Sequence, residues 1–378
     1  MRAGLLGRTL GHSHSPAIHR FFGDYGYELF EREPDRVADF VRAGDFGFLN
    51  VTIPYKRTVA GLCDVLSPLA RRLGNVNFIA RDDAGRLAGD NTDAFGFARL
   101  MASTGFDVRG RNAAVLGAGG AAETGRAVLG DLGAARVRLV RRGESPAADD
   151  ALIVNATPVG MFPDTDGVRV DIRDFPACEA VVDLVYNPSP TRLVREARAL
   201  GKAAADGMVM LVAQAYRAFE LAVAPREPLR TLYLYGPPAS GKSTWGRLIA
   251  QATGLDFVDL DAEIVRRAGR TIPEIFAADG ERTFRRLERE TLGAVVAAAS
   301  SPRVVALGGG ALLDPESRRL AESTGRVVVL SCPEETLFSR LTGGSRPLST
   351  GRESLAALLA SRRDHYGSFS RQVAFAGG

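Results

Sequence analysis

Short apolar runs that end in glycine, each followed by a helical pattern, set the rhythm of this chain. Ala113–Leu116 runs into Gly117-Ala118-Gly119-Gly120-Ala121, and Leu232–Tyr235 runs into Gly236-Pro237-Pro238-Ala239-Ser240-Gly241-Lys242-Ser243. Both read as strand, tight turn, then helix, which starts a parallel α/β sheet. After the first turn the pattern predicts a helix over Ala121–Leu132 and strands at Arg136–Val140 and Ala151–Asn155. After the second it predicts strands at Phe257–Asp261 and Arg303–Leu307. A 3.6-residue period over Met208–Ala222 predicts a helix, and Val223-Ala224-Pro225-Arg226-Glu227-Pro228 behind it reads as a linker.

The expected organisation is therefore a front unit, residues 1–224, and a P-loop unit with a parallel sheet, residues 229–378, joined by 225–228. The front unit divides into a Rossmann-like cofactor lobe, 106–205, and a second α/β lobe from 1–105 plus 206–224. The P-loop unit is expected to be independent. At 378 residues, two or three domains is the ordinary count.

Composition narrows the class. Apolar residues at 46% and charged residues at 24% fit globular domains with their own cores. No apolar run reaches membrane-spanning length, no signal peptide is evident, and Cys63, Cys178 and Cys332 lie far apart. A cytoplasmic enzyme is expected, without nucleic-acid or membrane partners; the net charge of +4 comes from scattered residues. Only three of the 48 basic residues are Lys: Lys56, Lys202 and Lys242. Arg stays protonated, so a Lys kept amid so much Arg points to chemistry that needs a compact or proton-releasing cation. Lys56 and Lys242 sit in motifs; Lys202 reads as a helix-end charge.

Gly236–Ser243 is a complete GxxxxGK[ST] phosphate loop. Its amides can cradle phosphates, with Lys242 on the β and γ groups and Ser243 on Mg²⁺. The Gly117–Ala121 turn can hold a pyrophosphate at a helix start, although on its own it could be a glycine turn of another α/β protein. Where an NAD site usually carries an acidic residue, this chain has Arg141 and Arg142; two guanidinium groups favour a 2′-phosphate, although either one singly could be a solvated arginine of an Arg-rich chain.

Further polar motifs flank the two loops: Gly11-His12-Ser13-His14-Ser15-Pro16, Asn50-Val51-Thr52-Ile53-Pro54-Tyr55-Lys56, Gly89-Asp90-Asn91-Thr92-Asp93, Asn155-Ala156-Thr157-Pro158 and Asp183-Leu184-Val185-Tyr186-Asn187-Pro188. In order and spacing they resemble shikimate dehydrogenase over residues 1–222. The resemblance implies that Ser13, Ser15, Thr52, Asn77, Asn91 and Gln214 bind the substrate's carboxylate and hydroxyls. It further implies that Lys56 and Asp93 are the catalytic pair, that Tyr186 lies near substrate and nicotinamide, and that NADP(H) rests on Gly117, Gly119, Gly120, Ala121, Arg141, Arg142 and Thr157. One departure is the short Gly143–Asp150 link, where the family usually has a helix. The histidines His12, His14 and His19 read as structural.

Behind the phosphate loop come Phe257–Asp261, Gly280–Arg285 with Glu288, Gly308-Gly309-Gly310, Arg346-Pro347-Leu348, and Arg362 four residues before Tyr366. This set resembles shikimate kinase over residues 229–371, with the family's last strand either reduced to Val373–Phe375 or cut short. The resemblance implies that Asp261 holds the accepting hydroxyl, that Arg285 and Arg362 fork the carboxylate, and that Gly309 and Gly310 donate from the backbone. Gly236, Ser240, Gly241, Lys242, Ser243, Thr244 and Arg346 then bind ATP, and Ser243 with Asp259 holds Mg²⁺. The expected function is reduction of 3-dehydroshikimate followed by phosphorylation of shikimate, with homo-oligomerisation left open. The alternative is a quinate- or shikimate-type dehydrogenase fused to a nucleotide-sensing domain or a kinase for another small molecule.

Overall fold

The computed structural model describes residues 1–11, 13–341 and 352–374. Three sheets carry the fold. The first joins β1 (Arg2–Gly7), β2 (Gly26–Glu31), β3 (Phe48–Val51), β4 (Val65–Leu66), β5 (Phe78–Arg81) and β6 (Leu87–Asp90) in the order β2-β1-β3-β5-β6-β4. In it β5 runs antiparallel to both β3 and β6.

The second sheet is wholly parallel: β7 (Asn112–Leu116), β8 (Arg136–Val140), β9 (Leu152–Asn155), β10 (Ala180–Asp183) and β11 (Ala203–Ala205), in the order β11-β10-β9-β7-β8. Helices on both faces bury both sets of side chains: Ala113 and Val115 face one core, Ala114 and Leu116 another. Strand order reverses beside β7, which puts the Gly117 turn at the topological switch point where such sheets bind ligands. The short Gly143–Asp150 link is tied down by buried Asp150, which accepts from Arg136, Arg138 and the Ala147 amide.

The third sheet is also parallel, with β12 (Thr231–Tyr235), β13 (Asp256–Asp259), β14 (Arg303–Ala306), β15 (Gly325–Ser331) and β16 (Gln372–Ala374) in the order β13-β14-β12-β15-β16. The phosphate loop follows β12. Gly117 (φ 125°) and Gly236 (φ 128°) take the same left-handed turn after their strands, and a Cβ on Gly236 would run into the Leu330 carbonyl.

Two expectations change. The strand read as Phe257–Asp261 ends at Asp259, whose carboxylate caps the Leu260–Ala268 helix through the Ala262 amide, so Asp261 stands on a helix. The third unit, expected to be independent, shares a buried core with the front unit. Leu232, Leu234, Val304, Val328, Leu330 and Val373 belong to the same buried cluster as Phe21, Phe22, Val212 and Phe219 of the front unit. Among the described residues no helix is long and apolar enough to cross a membrane.

Candidate active sites

A cavity of about 200 Å³ opens between the first two sheets, lined by Ser13, Ser15, Asn50, Thr52, Lys56, Asn77, Asp93, Tyr186 and Gln214 among others. Each comes from an element end. Ser15 opens the Ser15–Phe22 helix, with Pro16 beside it, and its amide donates to Ser13 Oγ at 3.2 Å. Lys56 starts the Lys56–Ala60 helix and Asp93 lies in the first turn of Thr92–Thr104, so two helix starts bring Lys56 Nζ to 2.5 Å from Asp93 Oδ2.

The walls are hydrogen-bonded before any ligand arrives. Tyr27 donates to Asn50 Oδ1 at 2.9 Å, Asn50 Nδ2 donates to Gln214 Oε1 at 3.3 Å, and Gln214 Nε2 donates to the Leu211 carbonyl at 3.0 Å. Asn77 Oδ1 accepts the Thr92 amide at 2.6 Å. Asn91 is not among the residues lining this cavity: it caps the Thr92–Thr104 helix through the Ala94 amide and donates to Asn75 Oδ1 at 2.7 Å. His19 is buried, stacks on Tyr27 at 3.9 Å, and burial pushes its pKa down to about 3, which keeps it neutral. His14 sets its ring edge-on to Tyr186 at 5.9 Å; His12 lies outside the described residues.

Beyond this cavity Gly119 caps the Gly120–Asp131 helix, and Ala121 also lines the cavity, so the glycine turn and the cavity adjoin. Arg141 and Arg142 are exposed at the end of β8. Sequence reasoning did not single out Arg169, whose guanidinium donates to the carbonyls of Arg141 and Glu144 beside them. Thr157 Oγ1 donates to Asn155 Oδ1 at 2.6 Å, and Asn155 Nδ2 donates to Asp183 Oδ1 at 2.9 Å, so two motifs brace one another. Burial raises the Asp183 carboxyl to about 6, although it also accepts from Thr191 Oγ1 and the Val185 amide.

In the third sheet the loop 236–241 leads into the Lys242–Thr253 helix. Lys242 Nζ donates to the Gly236 and Pro237 carbonyls at 2.9 and 2.8 Å, and Ser243 Oγ donates to Asp259 Oδ2 at 2.5 Å. Ser240 Oγ is buried without a hydrogen-bond partner. A cavity of about 450 Å³ is lined by Ala239, Gly241, Lys242, Ser243, Thr244, Trp245 and Arg340, and Arg340 also donates to the Ala239 carbonyl at 3.4 Å. A hydroxyl and a carboxylate at a helix start suit Mg²⁺, which takes few protein oxygens and completes its shell with phosphate and water. Arg346 lies outside the described residues.

A second group converges on Gly308–Gly310. Arg285 Nη1 donates to Glu288 Oε2 at 2.6 Å, and a Cβ on Gly310 would meet the Arg285 guanidinium. A Cβ on Gly308 would meet both Glu288 and Asp261, so all three share one space. The Gly309 carbonyl accepts from Arg362 at 3.0 Å and Tyr366 at 2.7 Å. Glu288 is buried, its carboxyl raised by burial against the pull of Arg285, and its Oε1 has no hydrogen-bond partner. Glu288 stood in the quoted motif without a role; Arg340 had no sequence signal beyond its charge.

A shikimate dehydrogenase (NADP(+)) of Symbiobacterium thermophilum is 37% identical over 265 residues, covering 60% of this chain and 90% of the relative. The chain belongs to the shikimate dehydrogenase family. The family's substrate-binding domain profile matches residues 5–79, and the shikimate kinase profile matches residues 238–376, so the dehydrogenase is continued by a shikimate kinase domain. Among solved structures, a shikimate 5-dehydrogenase of Thermus thermophilus in complex with NADP(H) and shikimate shares 32% identity at a TM-score of 0.54, covering 59% of this chain and 94% of its own. A quinate dehydrogenase of Corynebacterium glutamicum in complex with NAD shares 28% identity at a TM-score of 0.54, covering 59% of this chain and 94% of its own. One cavity thus lies in the dehydrogenase half and the other in the kinase half of a single chain.

Proposed function

We propose that this protein is a bifunctional enzyme that reduces 3-dehydroshikimate with NADPH and phosphorylates the resulting shikimate with ATP. The observation that carries the reading is the coexistence, on one chain, of the Lys56–Asp93 pair in the first cavity and of Lys242 and Ser243, the latter held by Asp259, at the second. One carboxylated ring suits both: Ser13 and Ser15 offer hydroxyls at the first site, Arg285 and Arg362 offer guanidinium groups at the second. We place the enzyme in the cytoplasm, in keeping with three free cysteines.

In the first reaction Ser13, Ser15, Thr52, Asn77 and Gln214 hold the ring, and Asn91 supports that wall from behind. The Gly117–Ala121 turn would hold the pyrophosphate of NADPH, Arg141 and Arg142 its 2′-phosphate, and Thr157 braces the loop beneath; the cofactor would supply hydride to the ring carbonyl carbon. Lys56 delivers a proton to the carbonyl oxygen as negative charge builds there, and Asp93 keeps the ammonium aimed at it. Tyr186, held against His14, closes the cavity over the ring.

In the second reaction Lys242 moves from the loop carbonyls onto the β and γ phosphates, while Ser240 and Gly241 contact them from the loop and Thr244 from the first turn of the helix. Ser243 and Asp259 would hold Mg²⁺, which would offset charge on the migrating phosphoryl group. Asp261 accepts the proton of the attacking hydroxyl. Gly309 and Gly310 leave room for the ring against Arg285, and Arg346 belongs to the segment between the Glu334–Leu341 and Arg352–Gly367 helices. The reading is tested by assaying the purified chain for NADPH oxidation dependent on 3-dehydroshikimate and ATP consumption dependent on shikimate. Oxidation of quinate, or phosphorylation of a polyol lacking a carboxylate, at equal kcat/KM would favour the alternative substrates.

A further inference from the structure

Three helices of the dehydrogenase half begin at its cavity and end against the kinase. Ser15–Phe22 starts at Ser15, Thr92–Thr104 carries Asp93 in its first turn, and Met208–Ala222 carries Gln214. Met208–Ala222 and Thr92–Thr104 pack on Lys242–Thr253, the helix that begins with the phosphate-loop lysine, and Ser15–Phe22 packs on β16. The far face of the kinase sheet is covered by the kinase's own helices, Ile272–Ala297 and Arg352–Gly367 among them, over Tyr233, Tyr235, Val305 and Val329. The near face, with Val328, Leu330 and Val373, is covered beside β15 and β16 by front-half residues of the shared core.

The contact is built with charge as well. Arg326, only 2% exposed on β15, donates to the Phe22 carbonyl and pairs with Glu227 of the linker. Arg371 donates to Asp24 with Nε at 2.6 Å, and Arg20 donates to the Gln372 carbonyl at 3.1 Å. Separating the halves exposes apolar surface and takes the Phe22 carbonyl away from Arg326, which keeps Glu227. The linker is not slack: Arg226 and Glu227 amides both bond back to the Val223 carbonyl. Trp245, the chain's only tryptophan, lines the phosphate-loop cavity on one side and meets the Phe21 ring at 5.7 Å on the other.

We propose that the dehydrogenase half is a structural subunit of the kinase: its helices complete the kinase sheet and, through Phe21 against Trp245, hold one wall of the nucleotide cavity. The proposal rests on the reading of that cavity as an ATP site, and association of the halves is measured separately from phosphoryl transfer. The experiment uses the full chain with a protease site inserted between exposed Pro225 and Arg226, cleaved after purification. The two pieces should co-elute at the size of the uncut chain, with Trp245 emission and its response to MgATP unchanged. If denaturant is needed to part them, the freed kinase piece should lose that response and regain it when the dehydrogenase piece is returned. Pieces that part spontaneously, with the kinase piece keeping the parent's emission and KM for ATP, would overturn the proposal.

In the uncut chain Phe21→Ala should raise the kinase KM for ATP by about fivefold, within the range that coupling through packed side chains reaches, and Phe21→Leu should restore most of it. Dehydrogenase kcat should stay within about twofold, because Phe21 lines no part of that cavity. A folded Phe21→Ala chain with the parent's KM for ATP would count against the proposal. An uncut parent that binds MgATP but does not phosphorylate shikimate would instead overturn the kinase reading and leave the association result standing on its own.

Discussion

The dehydrogenase cavity and the kinase cleft differ in how much of each is finished without ligand. In the cavity the Lys56 ammonium already sits 2.5 Å from the Asp93 carboxylate, and Asn50, Asn77 and Gln214 are locked by neighbours. In the cleft Lys242 is folded onto its own loop, Ser240 Oγ and Glu288 Oε1 have no hydrogen-bond partner, and Arg346 lies outside the described residues. A hydride acceptor needs a small, dry, prearranged pocket, so its polar groups satisfy one another in advance. A phosphoryl donor brings several negative charges of its own, and the residues that meet it hold provisional partners until it binds.

The contrast can be broken most sharply at Lys242. Lys242→Ala should lower kinase kcat by about a thousandfold or more, through loss of the cation on the migrating phosphate, while hydride transfer stays within about twofold. Loss of both activities would show that the kinase loop shapes the first cavity. At the finished site, Lys56→Ala should cut dehydrogenase kcat by about a hundredfold with a smaller change in substrate KM, and Lys56→Arg should be nearly as damaging because Arg cannot release the proton. Normal turnover of Lys56→Arg would reduce Lys56 to a charge holder.

A third effect concerns stability. Asp183 titrates near 6 when folded against about 4 when unfolded, so the folded state is favoured by its protonated form. That contribution is full below the unfolded value and is lost as pH rises through 6, at a cost of about 3 kcal/mol for the two-unit difference. Asp183→Asn should flatten the stability profile between pH 4 and 6, read by denaturant melts; an unchanged slope would assign the dependence to another group. The smallest effect is expected at the open cofactor end, where Arg141→Ala should raise KM for NADPH by about tenfold and leave KM for NADH nearly unchanged. Equal efficiency with both cofactors in the parent would remove the basis for Arg141 and Arg142 as 2′-phosphate ligands.

Much of this was legible in the sequence because the chemistry sits where pattern is strongest. The strand ending at Val140 and the start of the phosphate-loop helix fall where glycine and β-branched residues leave few other conformations. Lys56 and Lys242 stood out against an Arg background. Asp261 was misplaced onto a strand because an Asp that caps a helix reads, in sequence, like an Asp that ends a strand. Asn50 had no role in the sequence because its partner Gln214 is distant along the chain, and Glu288 had none because the space it shares with Asp261 and Gly308 forms only in the fold. The shared core was invisible for a similar reason: Phe21, Phe219 and Val373 look like ordinary core residues of separate domains. Apolar periodicity tells which face is buried, not against what.

The most direct measurement follows both reactions in one vessel. The purified chain is given 3-dehydroshikimate, NADPH and MgATP, with NADPH followed by absorbance and the acids by mass spectrometry. The account predicts one NADPH oxidised and one ATP consumed per shikimate phosphate formed, with no phosphorylated product when NADPH is withheld. Shikimate accumulating unphosphorylated in excess MgATP, while NADPH is steadily consumed, would contradict it.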